Sequence, residues 1–186
     1  NGAQAGIDEN IRFLHSLKER GNPMLAGIFG LHASLSISDE TLHACVDAAK
    51  DLDTGFHIHV AEHESDEYAG ILGPKSIVAH AIHIDAAEKE LLAQTGTWVT
   101  HQPRSNMNNA VGASDIEGMM RLGIPVCLGN DGFSNNMWAE WQAAYLYHKA
   151  AHRDPRRANG MDIVQMAIHN NAALAGIFWP ELPIGK

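Results

Sequence analysis

A chain of 186 residues that is 45% hydrophobic and carries a net charge of −9 has the apolar material for a packed core and the wrong sign for a phosphate-backbone partner, which would need clustered Lys and Arg. No apolar run approaches the roughly 20 residues of a membrane span. The N-terminus "NGAQAGIDEN" lacks a signal peptide's basic and apolar regions, and Cys45 and Cys127 follow no disulfide spacing. A cytoplasmic protein that binds neither nucleic acid nor membrane is therefore expected.

Along the chain, Ile7, Ile11, Leu14 and Leu17 recur at helical spacing and predict a helix from Ile7 to Glu19, stopped by Gly21. "MLAGIFGLHAS" follows as a strand. Ser38 or Asp39 caps a helix over 39–51 with Leu42, Val46 and Ala49 inward, and "GFHIHVA" is the next strand. Strand "SIVAHAI", a helix starting at Asp85, strand "TWVTHQ", a helix over 114–122 and strand "IPVCLGND" continue the alternation, and helices near 136–151 and 161–175 end it. Strands separated by helices predict an α/β protein with a parallel sheet. With no dinucleotide or phosphate-loop glycine pattern, a (β/α) barrel is preferred to an open doubly wound sheet. One connection is too short. "EHESDEYAGILGPK" has Gly70, Gly73 and Pro74 where a crossover helix belongs, so residues are expected to be missing between Asp66 and Gly70.

The 12 His against 13 Lys plus Arg direct attention to metal or proton chemistry. His32, His59 with Glu62 just beyond, His80, His101 and Asp131 fall at the C-terminal ends of five consecutive strands, the end where barrels build active sites. Alternation puts His57 and His59 on one face and turns Ile58 and Val60 toward the helices. Imidazole and carboxylate together hold Zn²⁺ or Fe²⁺ and leave a position for water, whose pKa falls to about 7. A carboxylate outside that shell, such as Glu62, can move protons. Ser34, Ser105 and Ser134 lack the context of a nucleophile elbow, and Cys127 reads as core. The Asn-rich "SNMNNAVG" and "GFSNNMW" read equally as plain turns or as pocket walls. His15, His43, His148, His152 and His169 fall in helices away from the rim, and no ligand is expected among them.

The motifs "HVAEHES", "VAHAIHI", "THQPRSNMNNAVG" and "CLGNDGFSNNM" resemble, in order, the strand motifs of the amidohydrolase superfamily, in its branch of deaminases and triazine hydrolases. The resemblance implies a (β/α)₈ TIM-type barrel, incomplete here: strands four to eight with their helices over residues 1–186. The strand-one His-x-His pair that supplies two metal ligands and the flanking β-sandwich domain would lie outside the chain. It implies a metal-dependent hydrolase that uses a metal-activated water to cleave a C–N bond of an amino-substituted heterocycle or related amidine. A triazine-type chlorohydrolase and a non-catalytic metal-binding relic are the alternatives. One divalent metal, Zn²⁺ in preference to Fe²⁺, and a small-molecule substrate follow, and the reading admits a homo-oligomer. By the same resemblance His59 is a metal ligand and Asp131 both ligand and general base. His80 hydrogen-bonds the metal's water, with direct ligation second. Glu62 protonates a ring nitrogen and passes a proton to the leaving amine, and His32, His101, Arg104 and Asn106 line the substrate pocket.

Overall fold

The computed structural model describes residues 2–33, 36–61 and 70–181. Helix α1 (Gly2–Arg20) buries Ile7 and Leu14 and begins earlier than the apolar pattern predicts. It ends where Gly21 takes a left-handed φ of 58°. Strand β1 (Phe29–Ala33) occupies only the second half of the predicted strand. Helix α2 (Asp39–Ala49) is capped by Ser38, whose side chain accepts from the Thr41 N–H. Strands β2 (Phe56–Val60) and β3 (Ile77–His80) follow. Helix α3 (Ala86–Thr95) opens on a reciprocal Asp85–Glu88 capping box and closes at left-handed Gly96. Next come β4 (Trp98–His101), α4 (Pro103–Asn109), α5 (Ile116–Arg121), β5 (Val126–Leu128) and α6 (Met137–His152).

The predicted last helix is interrupted. It divides into α7 (Gly160–Val164), a π-helical turn over Gln165–Asn170 and α8 (Asn171–Phe178). The wide turn brings two successive amides to the open edge of β5: Asn170 Nδ2 donates to Val126 O at 2.6 Å, while the Asn171 side chain bonds Leu128 N and O at 3.1 and 3.0 Å. Side-chain amides thus satisfy backbone groups that an edge strand leaves unpaired.

The five strands form one all-parallel sheet in chain order, β1-β2-β3-β4-β5, as five successive staves of a barrel do. Register explains the faces. Ile58, Val78, Val99 and Val126 lie level with one another and are almost wholly buried against the helices. On the opposite face His59, Ala79, Thr100 and Cys127 form the matching row. Gly55 allows β2 and β3 to start side by side, because a Cβ there would come within 2.2 Å of the Lys75 backbone. Apart from Gly70, the expected junction between Asp66 and Gly70 lies outside the described residues. Among those that are described, no helix is long and apolar enough to cross a membrane.

Candidate active site

The C-terminal ends of β1, β2, β3 and β5 converge on one region. The His59 ring lies 5.8 Å from that of His32, 6.1 Å from that of His57 and 5.3 Å from that of His80. His80 leaves β3 with φ +73° and Asp131 follows β5 with φ +48°. Left-handed backbone in a residue other than glycine costs on the order of 1–3 kcal/mol and persists where its surroundings hold it. Here the surroundings are specific. The nearly inaccessible His80 places Nδ1 2.8 Å from Asn106 Oδ1. An amide oxygen has no hydrogen to give, so Nδ1–H donates, and in the neutral ring it is Nε2 that carries the lone pair. That Nε2 is buried without a hydrogen-bond partner and stands 3.6 Å from Asp131 Oδ2.

Asp131 is one-quarter exposed at its side chain and accepts 2.6 Å from Ser105 Oγ. Partial burial pushes its pKa up, but the Ser105 hydrogen bond, the His80 and His59 rings and the Gly132 N–H together outweigh that and hold it below the ordinary carboxylate value. The carboxylate is thus ionised at neutral pH. Ser105, Asp131 and His80 do not form a nucleophile triad, because the histidine faces the carboxylate and not the serine. Two acceptors directed at each other are stable when a cation or a proton donor lies between them. The donor set, imidazole with carboxylate, therefore fits part of a divalent metal shell. Among the described residues no group of three His, Cys, Asp or Glu side chains is arranged to hold a metal ion by itself.

The other expected site residues are distributed unevenly. His32 is exposed and bonds Ser36 Oγ at 2.9 Å. Glu62 lies outside the described residues. Asn106 is fully buried, its Nδ2 without a partner in the structure. Arg104 is held on several sides: Nε donates to the buried Glu140 at 2.6 Å, Nη2 to Ser134 O at 2.7 Å, and the guanidinium lies 5.1 Å from the Phe133 ring. His101 shares its side of β4 with Val99, which faces the helices, and its Nε2 is 3.0 Å from His148 Nε2.

His148 lies with His101 in the helix layer, away from the mouth. It is buried against His101 and 5.9 Å from the ring of His152. Burial, then the neighbouring His152, pushes its pKa down to about 4, and burial together with His148 and His80 drives His101 well below 6.5. Folded neutral and protonated when unfolded, each ring lowers stability as pH falls from 6.5, by up to about 1.4 kcal/mol per unit. Urea midpoints of the full-length protein are expected to drop between about pH 7 and pH 5. His148→Gln should remove much of that slope, and an unchanged slope would count against the pair as its source.

Sequence reasoning missed Ser105, Glu140 and His148. The first sits between Arg104 and Asn106 in "RSN", and a serine without an elbow context gives no sign that it will bond a carboxylate from another strand. The other two lie on α6 at positions whose role depends on what α4 and β4 bring against them.

The conserved profile of the Amidohydrolase family matches residues 3–178. The chain belongs to the amidohydrolase family. A relative 34% identical to it, over 97% of this chain and 44% of its own length, is a 5-methylthioadenosine/S-adenosylhomocysteine deaminase of Nitratidesulfovibrio vulgaris (strain DSM 19637 / Miyazaki F). Among solved amidohydrolase-like folds, an adenosine deaminase from Xanthomonas campestris with bound zinc matches with TM-score 0.77 at 24% identity, over 92% of this chain and 44% of that one. The atrazine chlorohydrolase TrzN from Arthrobacter aurescens TC1, complexed with zinc, matches with TM-score 0.74 at 18% identity, over 97% and 45%. The chain thus spans less than half the length of these relatives, and its parallel sheet is part of their barrel.

Proposed function

We propose that the full-length protein is a metal-dependent aminohydrolase that replaces the amino group of a nitrogen heterocycle, or of a related amidine, by oxygen and releases ammonia. The observation that carries this is the meeting of the bare His80 Nε2 with the ionised Asp131 carboxylate at two strand ends, beside the His59 ring. His59 and Asp131 would hold the metal, Zn²⁺ in preference to Fe²⁺, with His80 directed at the same point. Bound there, such an ion lowers the pKa of water to about 7. Asp131 takes a proton from the attacking water. Glu62, in the His59-x-x-Glu spacing, protonates a ring nitrogen, takes up the proton of the newly added hydroxyl and passes it to the departing amine, and the proton held by Asp131 then restores the acid. His32 and Arg104 border the substrate, Asn106 is buried behind His80 and acts through it, and the protein works in the cytoplasm.

Deamination is favoured over dechlorination because the relative at 34% identity is a deaminase, whereas the chlorohydrolase likeness at 18% speaks for the fold alone. The test is ammonia and chloride release by purified full-length protein offered aminated purine nucleosides, free bases and a chlorotriazine. Ammonia from the aminated compounds supports the reading. Chloride release alone would replace it with the chlorohydrolase, and tightly bound metal without turnover with the relic.

A further inference from the structure

Three consecutive residues of α4 each hold a different part of the mouth. Arg104 ties α4 to the loop after β5 through Ser134 and to α6 through Glu140. Ser105 donates to Asp131, and Asn106 accepts from His80. The helix itself is firmly seated: Pro103 occupies its first turn, Asn106 N–H donates to Gln102 O at 2.9 Å, and left-handed Ala110 closes it.

We propose that Ser105 and Asn106 are positioning residues that together aim Asp131 Oδ2 and His80 Nε2 at a single point. This rests on the reading of the site as hydrolytic, but the hydrogen bonds themselves are independent of it. Asn106 fixes which ring nitrogen of His80 carries the proton. In the neutral ring, an Nδ1–H committed to Oδ1 at 2.8 Å leaves the lone pair on Nε2. Ser105 fixes the carboxylate: its hydroxyl occupies one lone pair of Oδ2 at 2.6 Å, so the rotation of the Asp131 side chain is set and the oxygen stays 3.6 Å from Nε2. Both arrangements hold residues on left-handed backbone, His80 at the last position of β3 and Asp131 beyond β5. One short helix therefore references two strand ends to each other. Groups that orient ligating or reacting side chains in this manner typically change metal affinity or activity by 10- to 100-fold when removed.

The variants Asn106→Leu, Asn106→Ala, Ser105→Ala and Ser105→Thr test this in full-length protein with ¹⁵N-labelled histidine. His80 is assigned by the signal lost in His80→Gln. Long-range ¹H–¹⁵N spectra of the metal-free protein should show His80 as the Nδ1–H tautomer. In Asn106→Leu, or Asn106→Ala if the leucine variant does not fold, that signal should become a mixture of tautomers. Zn²⁺ affinity and kcat are each expected to fall about 10- to 100-fold in the Asn106 variants and in Ser105→Ala, with KM moving less, while Ser105→Thr keeps near-normal values. An Nε2–H tautomer in the unsubstituted protein would overturn the proposal. So would an unchanged tautomer in the Asn106 variants, or a rise in KM alone, which would make both residues substrate contacts. If no ammonia is released by any form, the hydrolytic reading fails, and the tautomer and Zn²⁺ affinity still decide the positioning roles.

Discussion

Glu140→Ala is expected to cost about 3–5 kcal/mol of unfolding free energy, a large share of the 5–15 kcal/mol typical of a folded protein. Glu140 is wholly inaccessible in the first turn of α6, and its carboxylate bonds Arg104 twice, through Nε at 2.6 Å and the backbone N–H at 3.3 Å. The arginine side chain is itself only 18% exposed. Truncating the acid leaves a guanidinium in a half-dry site with its anion gone, and that uncompensated charge, more than the lost attraction, sets the cost. Urea denaturation measures it. Arg104→Met added to Glu140→Ala should recover part of the loss, since the stranded cation is then removed as well. A single variant within 1 kcal/mol of the parent protein would show that the pair carries little.

The elements that were legible in the sequence are those whose local chemistry and burial agree. Period-two alternation in "FHIHV" gave β2 and its two faces, and Ser38 and Asp85 mark helix starts that the structure places within a residue or two. The strand-end residues His59, His80 and Asp131 could be found because each follows an apolar run. Helix α4 was not legible. Asn and Ser are poor helix formers and read as loop, and what stabilises "PRSNMNN" as a helix is tertiary: Arg104, Ser105 and Asn106 are bonded to α6, Asp131 and His80. The π turn was hidden for a similar reason, because its cause is the edge of β5 and not the composition of "QMAIHN".

The direction of His101 illustrates the same limit. Its position at the end of "TWVTH" places it at the rim by sequence, but the register that pairs it with Leu128 sends its ring to the helix layer and to His148. His80 has the analogous position on β3, level with Val60, and reaches the mouth only because its backbone turns to φ +73°. A strand end therefore does not fix where a side chain points. The first residue beyond regular geometry does, and that depends on what anchors it.

Glu62→Gln and Asp131→Asn are expected to separate proton transfer from metal binding in the full-length enzyme. Both substitutions preserve shape and remove one negative charge. In the proposed mechanism Glu62 stands outside the metal shell, so Glu62→Gln should retain Zn²⁺ at near-normal affinity and lose about 10²–10⁴ in kcat, the range that general acid–base catalysis supplies. Asp131 has two duties. Partial burial raises its pKa, but the Ser105 hydrogen bond helps bring it below the ordinary carboxylate value, and Oδ2 stands 3.6 Å from His80 Nε2. Asp131→Asn can still accept the Ser105 hydrogen bond through its amide oxygen, so the fold around it should survive. Without the charge, however, both Zn²⁺ affinity and kcat should fall. Isothermal titration with Zn²⁺ beside steady-state ammonia release reads the two quantities independently. A Glu62→Gln protein that turns over normally would remove Glu62 from the mechanism, and an Asp131→Asn protein that binds Zn²⁺ as tightly as its parent would move the metal away from Asp131.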